Sequence, residues 1–328
     1  MADIASDETS GIPVAKTDRS ADQLHRNVLI GLALLLAIAP FVAYPVFVMK
    51  VLCFALFALA FNLLLGYGGL LSFGHAAYFG MASYVSAYTA KNWGLTPEFA
   101  ILSGTAIAAA LGLVFGALAI RRQGIYFTMI TLALAQMLFF FCLQTPRFTG
   151  GEDGIQAVPR GRLFGLIDLA DDRALYWLVA AIFMAGLLAM YRIIHSPFGE
   201  VCKAIRDNEP RAISLGYRVN RYKLTVFVLS AALAGLAGAT KAIVFQLASL
   251  TDVHWSMSGE VVLMTLVGGL GTVFGPIAGA LVIVAMQNYL ASLGAWVTVV
   301  QGVVFVICVL AFREGIVGVV AKAIKKPL

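Results

Sequence analysis

The sequence predicts an all-α protein, a polytopic transmembrane helical bundle of about eight to ten spans, on three observations. Of its 328 residues, 61% are hydrophobic and 12% charged, and the mean hydropathy is +0.90. A soluble domain has about 25% charged and about 45–50% apolar residues. The apolar residues gather into ten runs, most of them close to the ~20 residues that a helical span needs. The basic residues behind the net charge of +6 cluster in loops beside those runs. That is the pattern of membrane topology, and it gives no signal for nucleic acid.

In chain order, residues 1–26 are polar and mixed in charge, with Asp3, Asp7, Glu8, Lys16, Asp18, Arg19, Asp22 and Arg26. They are expected to form a cytoplasmic tail without fixed structure. They lack the short basic stretch, brief apolar core and small-residue cleavage site of a signal peptide. The spans expected next are 27–45, 47–66, 73–90, 99–120, 124–143, 174–194, 223–249, 259–273, 274–293 and 296–312. Runs 73–90, 259–273 and 274–293 are the weakest and are read either as full spans or as re-entrant half-helices. The membrane domain is thus expected over 27–316, with a cytoplasmic C-terminal tail over 317–328.

Lysine and arginine bias sets the orientation. Residues 192–223 carry Arg192, Lys203, Arg206, Arg211, Arg218, Arg221 and Lys223, and so belong in the cytoplasm. If the spans alternate, Arg121, Arg122, Arg313, Lys322, Lys325, Lys326 and both termini are also inside. The 144–173 loop, with Glu152, Asp153, Asp168, Asp171 and Asp172, then lies outside. Lys50 and Lys91 fall on the wrong side of the rule.

Chemistry is limited by what the runs lack. No carboxylate occurs between Asp22 and Glu98, Glu98 and Glu152, Glu209 and Asp252, or Glu260 and Glu314. Only Glu260 falls at the edge of a span. Charge inside a membrane is kept for a use such as a proton relay, so a proton-coupled carrier is disfavoured. His25, His75, His195 and His254 have no metal-binding spacing, and neither a G-x-S-x-G elbow nor a Walker A motif occurs. Cys53, Cys142, Cys202 and Cys308 are scattered singly and read as small hydrophobes. No metal and no cofactor is expected, and any ATP must be bound by another subunit.

Two glycine-rich stretches interrupt the apolar pattern. GGLLSFGHAAYFG (68–80) and GGLGTVFGPIAGA (268–280) both read GGL, then a small hydroxyl residue (Ser72 or Thr272), then Phe-Gly (73–74 or 274–275), with one residue of offset. Non-helical backbone at membrane depth is tolerated only inside protein or along a wet cavity. Matched interruptions in two halves of a chain point to a transport path in an inverted repeat. Gly68, Gly69, Ser72, Gly74, His75, Gly268, Gly269 and Gly275 are therefore candidates for that path. The alternative is close helix packing. It is preferred for Gly112 with Gly116, for Gly275 with Gly279, for Ala231 with Gly235 and for Ala234 with Gly238. His75 reads either as a buried structural histidine or as a substrate contact.

Residues 196–223 read SPFGEVCKAIRDNEPRAISLGYRVNRYK. Glu200–Leu215 is expected to form an amphipathic helix. Its apolar side is Val201, Ala204, Ile205, Ala212, Ile213 and Leu215. Its charged side is Lys203, Arg206, Asp207, Glu209 and Arg211. Pro210 should kink or split the helix, and Gly216 should stop it. Such a helix reads as a solvated loop, a lipid-surface helix or a docking site for a soluble subunit.

The loop resembles the cytoplasmic coupling loop of bacterial ABC importer permeases, in a degenerate form where Glu209-Pro210-Arg211-Ala212 precedes Gly216. LSFGHAAYFGMASY (71–84), TGGEDGI (149–155), SPFGEVCKAIRDNE (196–209), VLSAALAGLAGA (228–239) and VGGLGTVFGPIAGA (267–280) occur in order across about residues 45–316. As a set they are similar to the M-type permease subunit of branched-chain amino-acid ABC importers, with Ala82 where that family usually has glycine.

The resemblance implies a partner set: a second, homologous permease subunit, two cytoplasmic ATPase subunits and an extracytoplasmic solute-binding protein. It also implies a small amino-acid substrate and a place in the bacterial inner membrane. Lys203, Arg206, Asp207, Glu209, Ala212 and Gly216 would then form the ATPase-coupling loop, and residues 144–173 would face the binding protein. The glycine-rich start of that outer loop, Gly150, Gly151 and Gly154, reads equally as a plain turn. A urea or short-chain amide importer is the near alternative, and a stand-alone secondary carrier the alternative from another class. A membrane-embedded enzyme or scaffold is disfavoured because no catalytic cluster is found.

Overall fold

The structure is a computed structural model and describes residues 19–318 apart from 166, 292, 293, 295 and 312–314. The expected N-terminal tail up to residue 18, the tail from residue 319 with its lysines, Arg313 and the side chain of Cys308 lie outside the described residues.

The helices in order are α1 (Arg19–Val42), α2 (Pro45–Asn62), α3 (His75–Asn92), α4 (Pro97–Ala119), α5 (Ile125–Gln144), α6 (Pro146–Thr149), α7 (Asp172–Ile194), α8 (Pro197–Asp207), α9 (Glu209–Ser214), α10 (Val219–Phe245), α11 (Leu250–Val253), α12 (Trp255–Gly268), α13 (Gly275–Tyr289) and α14 (Trp296–Ala311). A π turn, Leu63–Tyr67, continues α2. Each of the ten apolar runs is matched by a long helix, and the all-α bundle is as the sequence predicts. Among the described residues, five helical segments are long and apolar enough to cross a membrane: Pro45–Tyr67, α4, α5, α7 and α10. α12 and α13 have only 14 and 15 residues, below the ~20 of a full span. α1 starts at Arg19, so the last part of the expected tail is helical.

Helix punctuation follows local chemistry. Proline at the first turn opens α2, α4 and α13, where its missing N–H leaves nothing unpaired. The Asp171 side chain caps α7 by accepting from the Arg173 amide.

The core is built on α2, α3 and α10, with α4 against α3 and α10, α7 against α2, and the α12–α13 pair on α2. Phe54, Phe57, Phe61, Phe79, Tyr78 and Phe227 fill its centre. Small residues bring the helices together. A Cβ on Gly112 would lie 2.5 Å from the Ala231 Cβ, and one on Gly104 would lie 2.6 Å from the Ala82 carbonyl oxygen. This matches the packing role expected of Gly112 and Ala231. α3 is enclosed almost all round, which explains its weak apolar signal: protein, not lipid, surrounds it.

The loop between α6 and α7 forms small ladders. β1 (Ile155–Gln156) pairs antiparallel with β4 (Leu247–Ala248), and β2 (Arg162–Leu163) pairs with β3 (Ile167–Asp168). Gly150 ends α6 in the left-handed region, and Gly154 closes on the Ala248 carbonyl. The start of the loop is therefore a turn. Lys91 donates to the Gln156 carbonyl at 2.7 Å, tying α3 to this side of the bundle.

Candidate functional site

Both glycine-rich stretches are breaks between antiparallel helices. Ring contacts pair Phe61 with His75 and Phe57 with Phe79 across the first break. At the second, Gly268 packs on Gly275, and Gly279 on Met264. The two hydroxyls that the sequence aligns do the same work. The Ser72 Oγ accepts from the Gly74 amide at 3.1 Å, and the Thr272 Oγ1 accepts from the Gly275 amide at 3.0 Å. Each lies in the turn just before a helix, α3 with Gly74 at its N-cap and α13 with Phe274 there.

The breaks touch each other through Asn62. Its side-chain amide donates to the Thr272 carbonyl at 2.8 Å, and its Oδ1 accepts from the Gly271 amide at 3.0 Å. A Cβ on Gly66 would lie 2.8 Å from the Gly271 amide nitrogen, so glycine is needed for this approach. Asn62 is fully buried and stands in an otherwise apolar run. It satisfies backbone groups that the breaks expose.

Helix α8 joins the same junction. The Arg206 guanidinium donates from Nη1 to the Gly66 carbonyl, inside the π turn, and from Nη2 to Asp207 at 2.9 Å. Gly69 has φ +67° and its missing Cβ would be 2.6 Å from the Arg206 Cγ, so the side chain lies flat on the break. The Lys203 ammonium stands 5.9 Å from the centre of the Tyr67 ring.

The sequence-named residues thus fall into groups. Gly68 is buried against Leu64 and Val226, and Gly74 against the Thr131 carbonyl. Ser72 is fully buried. Gly268, Gly269 and Gly275 shape the second turn, where the Thr272 hydroxyl donates to the Gly269 carbonyl at 2.9 Å. His75 is buried. Its Nε2 sits 2.8 Å from the Ser230 Oγ, which in turn donates to the Ala60 carbonyl, and Phe61 and Tyr78 meet its ring edge-on. That cage gives His75 a structural setting.

The loop helix splits as its proline foretells. α8 ends at Asp207, and the Asn208 Oδ1 accepts from the Arg211 amide at 3.0 Å to cap α9. Gly216, at φ +85°, stops α9, with the Tyr217 amide returning to the Ala212 carbonyl. Of the expected apolar side, Ile205 and Ala212 are buried with Val219, and Val201 is packed against them. Ala204, on α8 itself, stays exposed, and so do Ile213 and Leu215 beyond the extended Asn208 that separates α9 from α8. Glu209 binds Lys223 at 2.8 Å and Gln123 at 2.9 Å, which anchors α9 to the start of α10 and the end of α4. Burial pushes the Cys202 thiol on α8 up to about 11.

Three side chains of the junction were not legible as site residues: Asn62, Thr131 and Ser258. The Thr131 hydroxyl accepts from the Phe73 amide and the Ser258 hydroxyl from the Ala76 amide. Asn62, a lone amide five residues ahead of Tyr67 in an apolar run, carries the one usable sequence signal of the three.

The expectation that the spans hold almost no charge needs correction. Lys50 lies in α2, Lys241 in α10 and Glu260 in α12. Lys241 makes a buried ion pair with Asp252 at 2.6 Å, and Glu260 accepts from Gln287 at 2.9 Å. A carboxylate scan misses this because Asp252 reaches Lys241 from the short helix α11, outside any apolar run. Among the described residues, no group of three or more His, Cys, Asp or Glu side chains is placed to hold a metal ion.

The family model "Branched-chain amino acid transport system / permease component" matches residues 46–309. The chain belongs to this family. It is a multi-pass membrane protein and the permease subunit of an ABC importer, working with other components of such a transporter. It is similar to the high-affinity branched-chain amino acid transport system permease protein LivM of Escherichia coli K12, with 25% identity over 285 residues, 80% of this chain and 67% of that protein. The probable branched-chain amino acid transport permease protein LivM of Methanocaldococcus jannaschii is 25% identical over 197 residues, 55% of this chain and 53% of that one. The ribose import permease protein RbsC of Bacillus subtilis 168 is 31% identical over 175 residues, 50% of this chain and 51% of that one. No solved structure matches the chain.

Proposed function

We propose that this permease imports branched-chain or related small amino acids across the bacterial cytoplasmic membrane, with both termini inside. A second, homologous permease subunit completes the path. Two cytoplasmic ATPase subunits bind and hydrolyse ATP, and an external binding protein delivers the substrate to the side of the 144–173 loop. The permease itself has no ATPase site.

The observation that carries this reading is the Arg206 bridge. A helix expected to dock on an ATPase is bonded to the backbone of one glycine break, and Asn62 bonds that break to the other. α8 and α9 present Asp207, Arg211, Ile213 and Leu215 outward as the docking face. Lys203 and Arg206 face inward and transmit the motion. When the ATPases close, α8 moves, the Gly66 carbonyl and Gly69 move with it, and the two breaks shift as one unit. Polar backbone freed at the breaks then meets a zwitterion without buried charge.

The test is ATP-driven uptake in proteoliposomes holding the permease pair, the ATPases and the binding protein, with labelled leucine, urea and ribose compared. Leucine uptake that needs ATP supports the reading. Uptake by this chain without the ATPases contradicts it, and preference for urea or ribose contradicts the substrate assignment.

A further inference from the structure

At the end of the bundle away from α8, a cavity of about 540 Å³ opens where α1 meets α2. Its walls include Val46, Phe47, Phe245, Tyr289, Asn288 and Lys50. The size is that of a small-molecule site, about 300–1,000 Å³. Phe245 ends α10 just before β4, and β4 pairs with β1 of the 144–173 loop. The cavity thus lies on the side where the proposed binding protein delivers its cargo.

Lys50 distinguishes this cavity from a lipid-filled crevice. Within this group of charges Lys241 is ion-paired with Asp252, and Glu260 accepts a hydrogen bond from the neutral Gln287 amide. Lys50 makes no hydrogen bond or ion pair with another described residue, although Glu260 and Lys241 are near enough to act on it electrostatically. A half-buried ammonium group near the end of a span, with no hydrogen bond or ion pair to a described residue, marks a site by default.

We propose that this cavity is the permease's outer substrate site, in which Lys50 binds the carboxylate of an incoming amino acid and the aromatic wall takes its apolar side chain. The Lys50 ammonium donates to the carboxylate oxygens, a charge-assisted contact. Asn288 supplies an amide able to accept from the substrate ammonium. Phe47 and Tyr289, whose rings lie 6.0 Å apart, form the apolar side. This deepens the proposed function and rests on the amino-acid reading.

The test places a cysteine at the mouth of the cavity, Val42→Cys, in the assembled transporter. Val42 is 82% exposed, while Cys53, Cys142 and Cys202 are buried, so with Cys308→Ser in the background a membrane-impermeant maleimide reads the new thiol. L-leucine at about ten times its Kd should slow labelling about tenfold, and leucinamide, which lacks the carboxylate, should not. With Lys50→Gln added, leucine protection should weaken by about tenfold or more, and Lys50→Arg should restore it. Protection by leucinamide equal to that by leucine overturns the proposal. So does protection that survives Lys50→Gln, or labelling that follows the phosphatidylglycerol content of the vesicles and ignores leucine. Wild-type uptake measured alongside separates the two readings: leucine uptake without leucine protection rejects the cavity alone, and absent leucine uptake rejects the amino-acid reading.

Discussion

Asn62 and Arg206 hold the junction by satisfying backbone groups, so the effect of removing them follows from hydrogen-bond energetics. A buried donor or acceptor left unpaired costs about 1–3 kcal/mol. Asn62→Leu orphans both the Gly271 amide and the Thr272 carbonyl and should lower stability by about 2–4 kcal/mol, seen as a lower melting temperature in detergent. Arg206→Gln should leave the fold intact and cut transport about tenfold or more while ATP hydrolysis continues. Transport and hydrolysis falling together would assign Arg206 to stability instead. The Lys241–Asp252 pair is buried, with side chains 11% and 3% exposed. Lys241→Met alone strands a carboxylate and should cost about 3–5 kcal/mol, and the double change Lys241→Met with Asp252→Leu should recover most of it. A double variant no more stable than Lys241→Met would show that the pair is not the source of the cost.

At the scale of elements, the α8–α9 unit and the two broken hairpins were legible to different depths. Pro210 and Gly216 announced the split and the stop of the loop helix because they act on their own backbone. The repeated hydroxyl near Phe-Gly announced that the two breaks are alike, and Ser72 and Thr272 each accept from a glycine amide within their own turn. That the breaks touch each other was not legible, since residue 62 and residue 271 are joined only by folding. Nor was the inward turn of Arg206, because periodicity assigns a charged residue to the solvent side whether or not a carbonyl awaits it. Gly74→Leu should abolish transport while the protein still inserts, since its side chain would enter the space of the Thr131 carbonyl. Transport that survives this change would show the first break to be mere packing. A cysteine at Leu215, which is 70% exposed, should cross-link to the ATPase and not to the binding protein.

For the whole molecule, composition was enough to read the class, because burial in lipid demands apolar surface nearly everywhere, but not the number of full spans: eight to ten were expected, and among the described residues five helices are long and apolar enough to cross. Charge in the spans was harder to read: Lys241 is acceptable only because α11 brings Asp252 beside it. The structure joins three parts that lie far apart in sequence, the loop helix α8, a pair of chain breaks and the cavity beside Lys50, through α2 and the π turn that continues it. Lys50, Asn62 and the π turn lie on one continuous helical segment, so motion at Gly66 reaches the cavity along α2 itself.

The central claim is that α8 couples partner ATPases to the breaks. It is tested most directly by copurifying the tagged chain from mild detergent with its partners, then measuring ATP hydrolysis and leucine uptake on the same complex with and without Arg206→Gln. The account predicts a complex with two ATPases and a second permease in which the substitution keeps hydrolysis and loses uptake. A chain that purifies alone and still moves leucine, or a complex whose uptake is untouched by the substitution, would contradict it.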